Sequence, residues 1–205
     1  MLPQAIQQSV VDFLPKKGLD PAEILSTRPL SGGSINEAFG VKTNLGSFFL
    51  KYNSASKFPG MFEKEAKGLN LLRSAGEIDV PEVIFHGEAG SEAFLLLEFI
   101  DSANQSDGFW ESFGKSLARL HGHHANRFGL DHDNYMGSLY QYNRYHNNWI
   151  DFFIEERLER QIRLARENGA IGRSDVSGFE RLYKRLKEIF PETLPSRFME
   201  WEFYG

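Results

Sequence analysis

Lys51 closes the apolar run Phe48-Phe49-Leu50-Lys51, and strand alternation puts it on the same face as Phe49. An ammonium on an apolar sheet face is costly unless it meets an anion or a carboxylate. Read alone, a strand-end lysine more often sends its head to solvent. Glu65 offers the carboxylate. It lies one turn on from Met61 and Phe62 in the segment after Pro59, whereas Glu63 points elsewhere on the same helix. Read alone, Glu65 is an ordinary surface carboxylate. Upstream, Gly32-Gly33 stands between two strand-like runs. A backbone without Cβ atoms can approach a phosphate closely, although a Gly-Gly pair between strands is usually only a turn.

The elements that must position these residues follow from periodicity. Ile6, Val10, Val11 and Leu14 give residues Ala5 to Leu14 a helical stripe, which Pro15 and Gly18 stop. Ile24 to Leu30 reads as a strand. Ala38 to Thr43 and Ser47 to Tyr52 read as a hairpin across Asn44-Leu45-Gly46. A helix follows Pro59 and carries Phe62, Ala66, Leu69 and Leu72. Val80 to Ile84 reads as a short strand, and Phe94 to Ile100 as a buried one. After Asp101-Ser102-Ala103-Asn104 the pattern is expected to be all helical: Phe109, Phe113, Leu117 and Leu120; then a long helix from Trp149 towards Gly169; then Phe179, Leu182, Leu186 and Ile189, stopped by Pro191. A sheet-rich first half and a helical second half predict an α+β fold with two lobes: 1–100, ending in a hinge, and 101–205.

In that order the three features change meaning. A glycine turn, a strand lysine, a helix glutamate and an apolar strand running into a linker are laid out as in a protein-kinase-like ATP site. There the lysine holds phosphates, the glutamate holds the lysine, and the linker offers its backbone to adenine. In this chain the linker is Leu97-Glu98-Phe99.

Composition narrows the classes. The 205 residues carry 28 acidic and 23 basic side chains, a formal net charge of -5, which argues against a nucleic-acid partner. Absence of cysteine removes thiolate nucleophiles, disulfides and Cys-based zinc sites, and fits a cytoplasmic protein. No apolar run is long enough to span a bilayer, and Met1-Leu2-Pro3-Gln4 does not open a secretory signal.

The chain resembles the fructosamine kinase and ketosamine-3-kinase family, relatives of aminoglycoside and choline phosphotransferases. Leu30 to Ala38 is similar to the family's glycine loop, Phe49 to Asn53 to its lysine strand, and Met61 to Ala66 to the start of its glutamate helix. Gly114 to His121 matches a helix shared across these phosphotransferases. Most specific are Phe128 to Ser138 followed by Trp149 to Leu158. The resemblance covers residues 25 to 196. It implies a protein-kinase-like fold and ATP-dependent phosphorylation of a sugar hydroxyl on a ketosamine, such as a glycated lysine. Gly32, Gly33, Lys51, Glu65, Leu97, Glu98 and Phe99 would form the nucleotide site, and Mg would be used with ATP. Alternatives are a catalytically dead nucleotide-binding remnant and an aminoglycoside- or choline-directed phosphotransferase. The Phe128 to Ser138 stretch argues against the latter.

After a proline-serine like Pro195-Ser196, the resemblance implies a His-Gly-Asp-Leu-Trp-Ser-Gly-Asn loop holding the catalytic base and a metal ligand. The chain instead reads Arg197-Phe198-Met199-Glu200-Trp201-Glu202-Phe203-Tyr204-Gly205. Back-translated and read one base later, this tail yields Asp-Leu-Trp-Ser-Gly-Asn-Phe-Met, with some letters forced by the code and others resting on codon choice. The expectation is a frameshifted, incomplete helical lobe with partly uncovered apolar helices, and no catalytic or metal-binding residue to assign.

Other groupings read as structural. His121, His123 and His124 lie in a helix end and polar loop without a visible carboxylate partner. Asp131 and Asp133 lie two apart in an expected loop, suited to capping and turns. Trp149, Phe152 and Phe153 read as core, and the mixed charges from Glu155 to Arg166 as a solvated helix face. Ser31 and Ser34 lack a His–Asp arrangement.

Overall fold

The computed structural model describes residues 1–14, 21–31 and 35–190. Gly32, Gly33, Pro15, Gly18 and everything from Pro191 onward lie outside the described residues. The chain divides into two compact units, Met1–Leu117 and Ala118–Gly205.

The first unit begins with helix α1 (Gln4–Phe13) and strands β1 (Ile24–Leu30), β2 (Glu37–Thr43) and β3 (Gly46–Ser54). Helix α2 (Met61–Ala75) and strands β4 (Val83–Ala89) and β5 (Glu92–Glu98) follow. The strands form one antiparallel sheet in the order β1-β2-β3-β5-β4. Alternation sorts the side chains onto two faces. Phe39, Val41, Leu50, Phe94 and Leu96 pack on one face with Leu2, Ile6 and Val10 at and before α1. Leu95, Leu97 and Ala93 pack on the other with Phe62 and Ala66 of α2. Burying Phe62, which is 2% exposed, contributes about 1.5–3 kcal/mol.

The β2–β3 hairpin closes where predicted. Thr43 accepts from the Leu45 amide and donates to the Gly46 carbonyl. The Asn44 side chain ties the turn to Pro21 and Glu23. The β4 strand starts later than its sequence pattern suggests and runs on to Ala89. Arg73 Nη1 donates to the Val80 carbonyl (2.7 Å), so the Val80 segment anchors the end of α2 instead of joining the ladder. Helix α3 (Phe109–Leu120) follows; it buries Leu120 but leaves Phe109, Trp110 and Phe113 exposed.

The second unit is not all helical. Strands β6 (Asn134–Met136) and β7 (Leu139–Gln141) form a hairpin closed by Gly137, whose φ of 60° suits the tight turn. Helical periodicity could not register three-residue strands. Beyond them α4 (Trp149–Phe152), a π-helical turn (Phe153–Leu158) and α5 (Glu159–Glu167) form one continuous helical stretch. Helix α6 (Arg173–Ile189) completes the described chain. Asn148 caps α4 by accepting from the Asp151 amide (2.8 Å). Leu182 and Ile189 of α6 are exposed.

The solvated-face reading of Glu155 to Arg166 is corrected here, because Glu156 is buried within the π-helical turn. Its carboxylate receives His146 Nε2 (3.1 Å), Arg144 Nε (3.0 Å) and Arg160 Nη2 (3.3 Å). The extra residue in a π turn shifts which side chains face inward, and a simple i,i+4 pattern does not reveal that shift. Arg157 of the same turn donates to the Asn143 side chain (2.6 Å), and buried Asn143 donates to the His132 carbonyl and to Asn134 Oδ1. The segment 143–146 thus bolts the hairpin to the π turn. This gives a physical reason for the two distinctive stretches, Phe128 to Ser138 and Trp149 to Leu158, to occur together.

Gly129 shows how tightly this junction is packed. Its φ is +118°, and a Cβ there would lie 2.7 Å from the carbonyl oxygens of both Asn143 and Arg144. Gly129→Ala is expected to cost at least the roughly 1–3 kcal/mol of a strained backbone residue, read as a lower urea midpoint. An unchanged midpoint would show that the junction tolerates displacement.

Candidate functional site

The ladder register places Lys51 on the α2 side of the sheet. Lys51 stands opposite Ala38 in β2 and Leu95 in β5, so all three share the face that α2 packs against. Helix α2 packs against β4 and β5 on this face. Two rows of side chains cross the rest of that face: Leu30–Ala38–Lys51 and Arg28–Gly40–Phe49.

Glu65 rises from α2 and pairs directly with the Lys51 ammonium. The Phe62 ring, one turn earlier, lies 5.9 Å from the same nitrogen. The Lys51 side chain is 19% exposed and that of Glu65 is 31% exposed. A cation held from one side and reachable from the other is what phosphate binding needs. Lysine acts there as a point charge, and its carboxylate partner removes the freedom of a four-carbon stem. Glu63 points to solvent, where the hydrogen bond from Lys67 (2.8 Å) holds its carboxyl below the usual range.

The other expected site residues are placed differently. Leu97 is buried in the core cluster with Phe62 and Leu95. The Glu98 amide donates to the Glu82 carbonyl (2.9 Å), and its side chain accepts from the Glu82 amide (3.1 Å). The Phe99 ring reaches Gly40. Gly32 and Gly33 lie outside the described residues, but the chain just after them is pinned near Lys51. Asn53, on the same face two residues on, donates to Asn36 Oδ1 (2.8 Å) and to Met61 Sδ (3.0 Å). Asn36 and Asn53 carried no signal in the sequence beyond their nearness to the glycine turn and the lysine.

The residues set aside as structural have structural surroundings. Asp133 accepts from the Asn143 amide (2.9 Å) and the Tyr140 hydroxyl (3.1 Å), and Asp131 pairs with His132. The His123 amide closes the turn after α3 on the Leu120 carbonyl. Among the described residues, one group could gather around a metal ion: His146, Glu155 and Glu156. Its buried carboxylate already meets one histidine and two guanidinium groups, which leaves little negative charge for a hard cation.

Comparison with known proteins bears on the family and the fold. The fructosamine kinase family model matches residues 6–198. A probable ketoamine kinase of Vibrio parahaemolyticus is 36% identical over 187 residues, covering 89% of this chain and 62% of that protein. The chloroplastic protein-ribulosamine 3-kinase of Arabidopsis thaliana is 38% identical over 148 residues, covering 71% of this chain and 45% of that protein. The crystal structure of a presumed fructosamine-3-kinase from Haemophilus somnus superposes with a TM-score of 0.80 at 28% identity, covering 92% of this chain and 64% of that one. An aminoglycoside phosphotransferase shares the fold alone, with a TM-score of 0.55 at 16% identity over 92% of this chain and 63% of that one. The chain thus spans about three fifths of the length of the first of these relatives. With a kinase-like α+β fold, a lysine–glutamate pair between the sheet and α2 and a family match running through both units, the chain belongs to the fructosamine kinase family.

Proposed function

We propose that this chain is the nucleotide-holding portion of an ATP-dependent ketosamine kinase. The parent reaction transfers the γ-phosphoryl group of ATP to a sugar hydroxyl of a ketosamine, carried on a glycated lysine or a small amine. The observation that carries the reading is the Lys51–Glu65 pair on the α2 face of the sheet, both side chains still partly exposed. Lys51 holds phosphate oxygens, Glu65 orients Lys51, the Gly32-Gly33 turn brings backbone amides to the phosphates, and the Leu97 to Phe99 segment borders adenine. Residues 1–100 act as the ATP-binding lobe and 101–205 as part of a helical lobe that carries substrate contacts. Among the described residues no helix is long and apolar enough to cross a membrane, and the reading places the protein in the cytoplasm without a nucleic-acid partner.

Magnesium, which the family implies, would neutralise charge between the phosphates. The described residues do not fit it: the one candidate group is already compensated by cations. Among the described residues none is assigned to hold it or to act as catalytic base. The expected outcome for this 205-residue chain alone is saturable binding of a fluorescent ATP analogue with no ATP consumption on a glycated-lysine substrate. Turnover by this exact chain would overturn the non-catalytic part of the reading. Absence of nucleotide binding would overturn the reading as a whole.

A further inference from the structure

Gly40 leaves a bare spot in β2 that two other side chains fill. A Cβ there would lie 3.2 Å from Arg28 Nε, 3.3 Å from Arg28 Cγ and 3.4 Å from Phe99 Cε2. Gly40 has no positive φ, so space and not backbone conformation calls for glycine. Arg28 stands opposite Gly40 in β1, and its guanidinium carbon lies 5.5 Å from the Phe99 ring centroid, within cation–π range. Phe99 follows β5, two strands from β2 in the sheet. Its ring therefore folds back over the sheet to reach Gly40, and Arg28 meets it there.

The direction in which a bound nucleotide must lie follows from the same face. With phosphates at Lys51, one way along β3 leads to Asn53, already tied to Asn36 and Met61. The sideways path towards β5 and β4 is covered by α2. The other way along β3 leads to the Phe49–Gly40 row, one pleat repeat or about 6–7 Å from Lys51. That row is bordered by the half-buried Phe49 ring and the Phe99 ring. Flat apolar walls suit a purine, and Arg28, the cation of that row, faces the Phe99 ring.

We propose that Arg28 is a positioning residue for the nucleobase: by clamping Phe99 across Gly40 it builds the base-side wall of the nucleotide site. The proposal rests on the reading of Lys51 as the phosphate holder. Its effect falls on the base and not on the phosphates, which separates it from that reading.

The test compares binding of ATP and of inorganic tripolyphosphate by calorimetry on the full chain. Arg28→Ala is expected to weaken ATP about two- to five-fold, the size of an exposed cation–π contact, and to leave tripolyphosphate unchanged. Gly40→Ala, free of backbone strain, should do the same by displacing Arg28 and Phe99, with the melting temperature held. Arg28→Lys should fall between Arg28→Ala and the parent chain, because an ammonium keeps the charge but not the planar contact. Unchanged ATP affinity in Arg28→Ala and Gly40→Ala overturns the proposal, as does an equal loss for ATP and tripolyphosphate. If the parent chain binds neither ligand, the nucleotide reading itself fails and this one with it.

Discussion

Replacing Lys51 with alanine is expected to weaken ATP binding roughly 10- to 150-fold, the range for losing a hydrogen bond to a charged group of about 1.5–3 kcal/mol. The same change should move thermal stability little. The Lys51 and Glu65 side chains keep 19% and 31% of their surface exposed, and a pair so placed contributes about 1 kcal/mol or less after screening. Glu65→Gln should give a smaller loss of affinity. It removes the ionic partner but leaves the lysine, the Phe62 ring beneath it and a polar side chain that still reaches the ammonium. A fluorescence titration with a nucleotide analogue measures both variants, and a thermal melt supplies the control. Lys51→Ala binding as tightly as the parent chain would remove the phosphate-holding role. Lost binding together with a collapsed melt would mean instead that the pair serves the fold.

The largest expected effect on stability is at Glu156. Burial pushes its carboxyl up, but the hydrogen bond with His146 and the charges of Arg160 and Arg144 more than offset that, so it is held below the usual carboxylate range. Removing one partner of a buried ion cluster leaves the others uncompensated, and Glu156→Ala is expected to cost about 3–5 kcal/mol. Much of that comes from His146 and Arg160, whose side chains are 11% and 26% exposed; Arg144 is 63% exposed and can recover hydration. The pH dependence follows from the direction of the shift. Because the folded carboxyl titrates below its unfolded value, the unfolded state binds more protons in the interval between the two. The contribution is full above the unfolded pKa of about 4.3 and is lost as pH falls through the lower folded value. Urea unfolding at neutral and acidic pH should show this loss in the parent chain. In Glu156→Gln the part of the acid dependence due to this carboxyl should vanish. An unchanged acid profile in that variant would place the acid-labile group elsewhere.

The sheet and helix α2 were legible without coordinates because they rest on local periodicity, whereas the Lys51–Glu65 pairing was read from the order of glycine turn, strand lysine and helix glutamate. Alternation in Phe48-Phe49-Leu50-Lys51 names the face of the lysine. The helical spacing of Phe62, Ala66 and Leu69 names the inner side of α2, and Glu65 lies next to that stripe. The turn at Asn44 to Gly46 was equally local. Strand ends were less clear, since Val80 could join a ladder or anchor α2, and only the position of Arg73 decides between them.

What the residues alone determined is therefore an α+β chain with a lysine on a sheet strand and a glutamate on the helix after it, because strand and helix periodicity depend on neighbours a few positions apart. Tertiary structure decided the rest. It brought Arg28 and Phe99 together over Gly40 from strands that are not neighbours, and buried Glu156 beneath His146, Arg144 and Arg160 through a π turn. Apart from the i,i+4 pair Arg160–Glu156, these contacts join residues about 10 to 70 positions apart and involve side chains whose types are ordinary at the surface, so no local pattern marks them before the chain has folded.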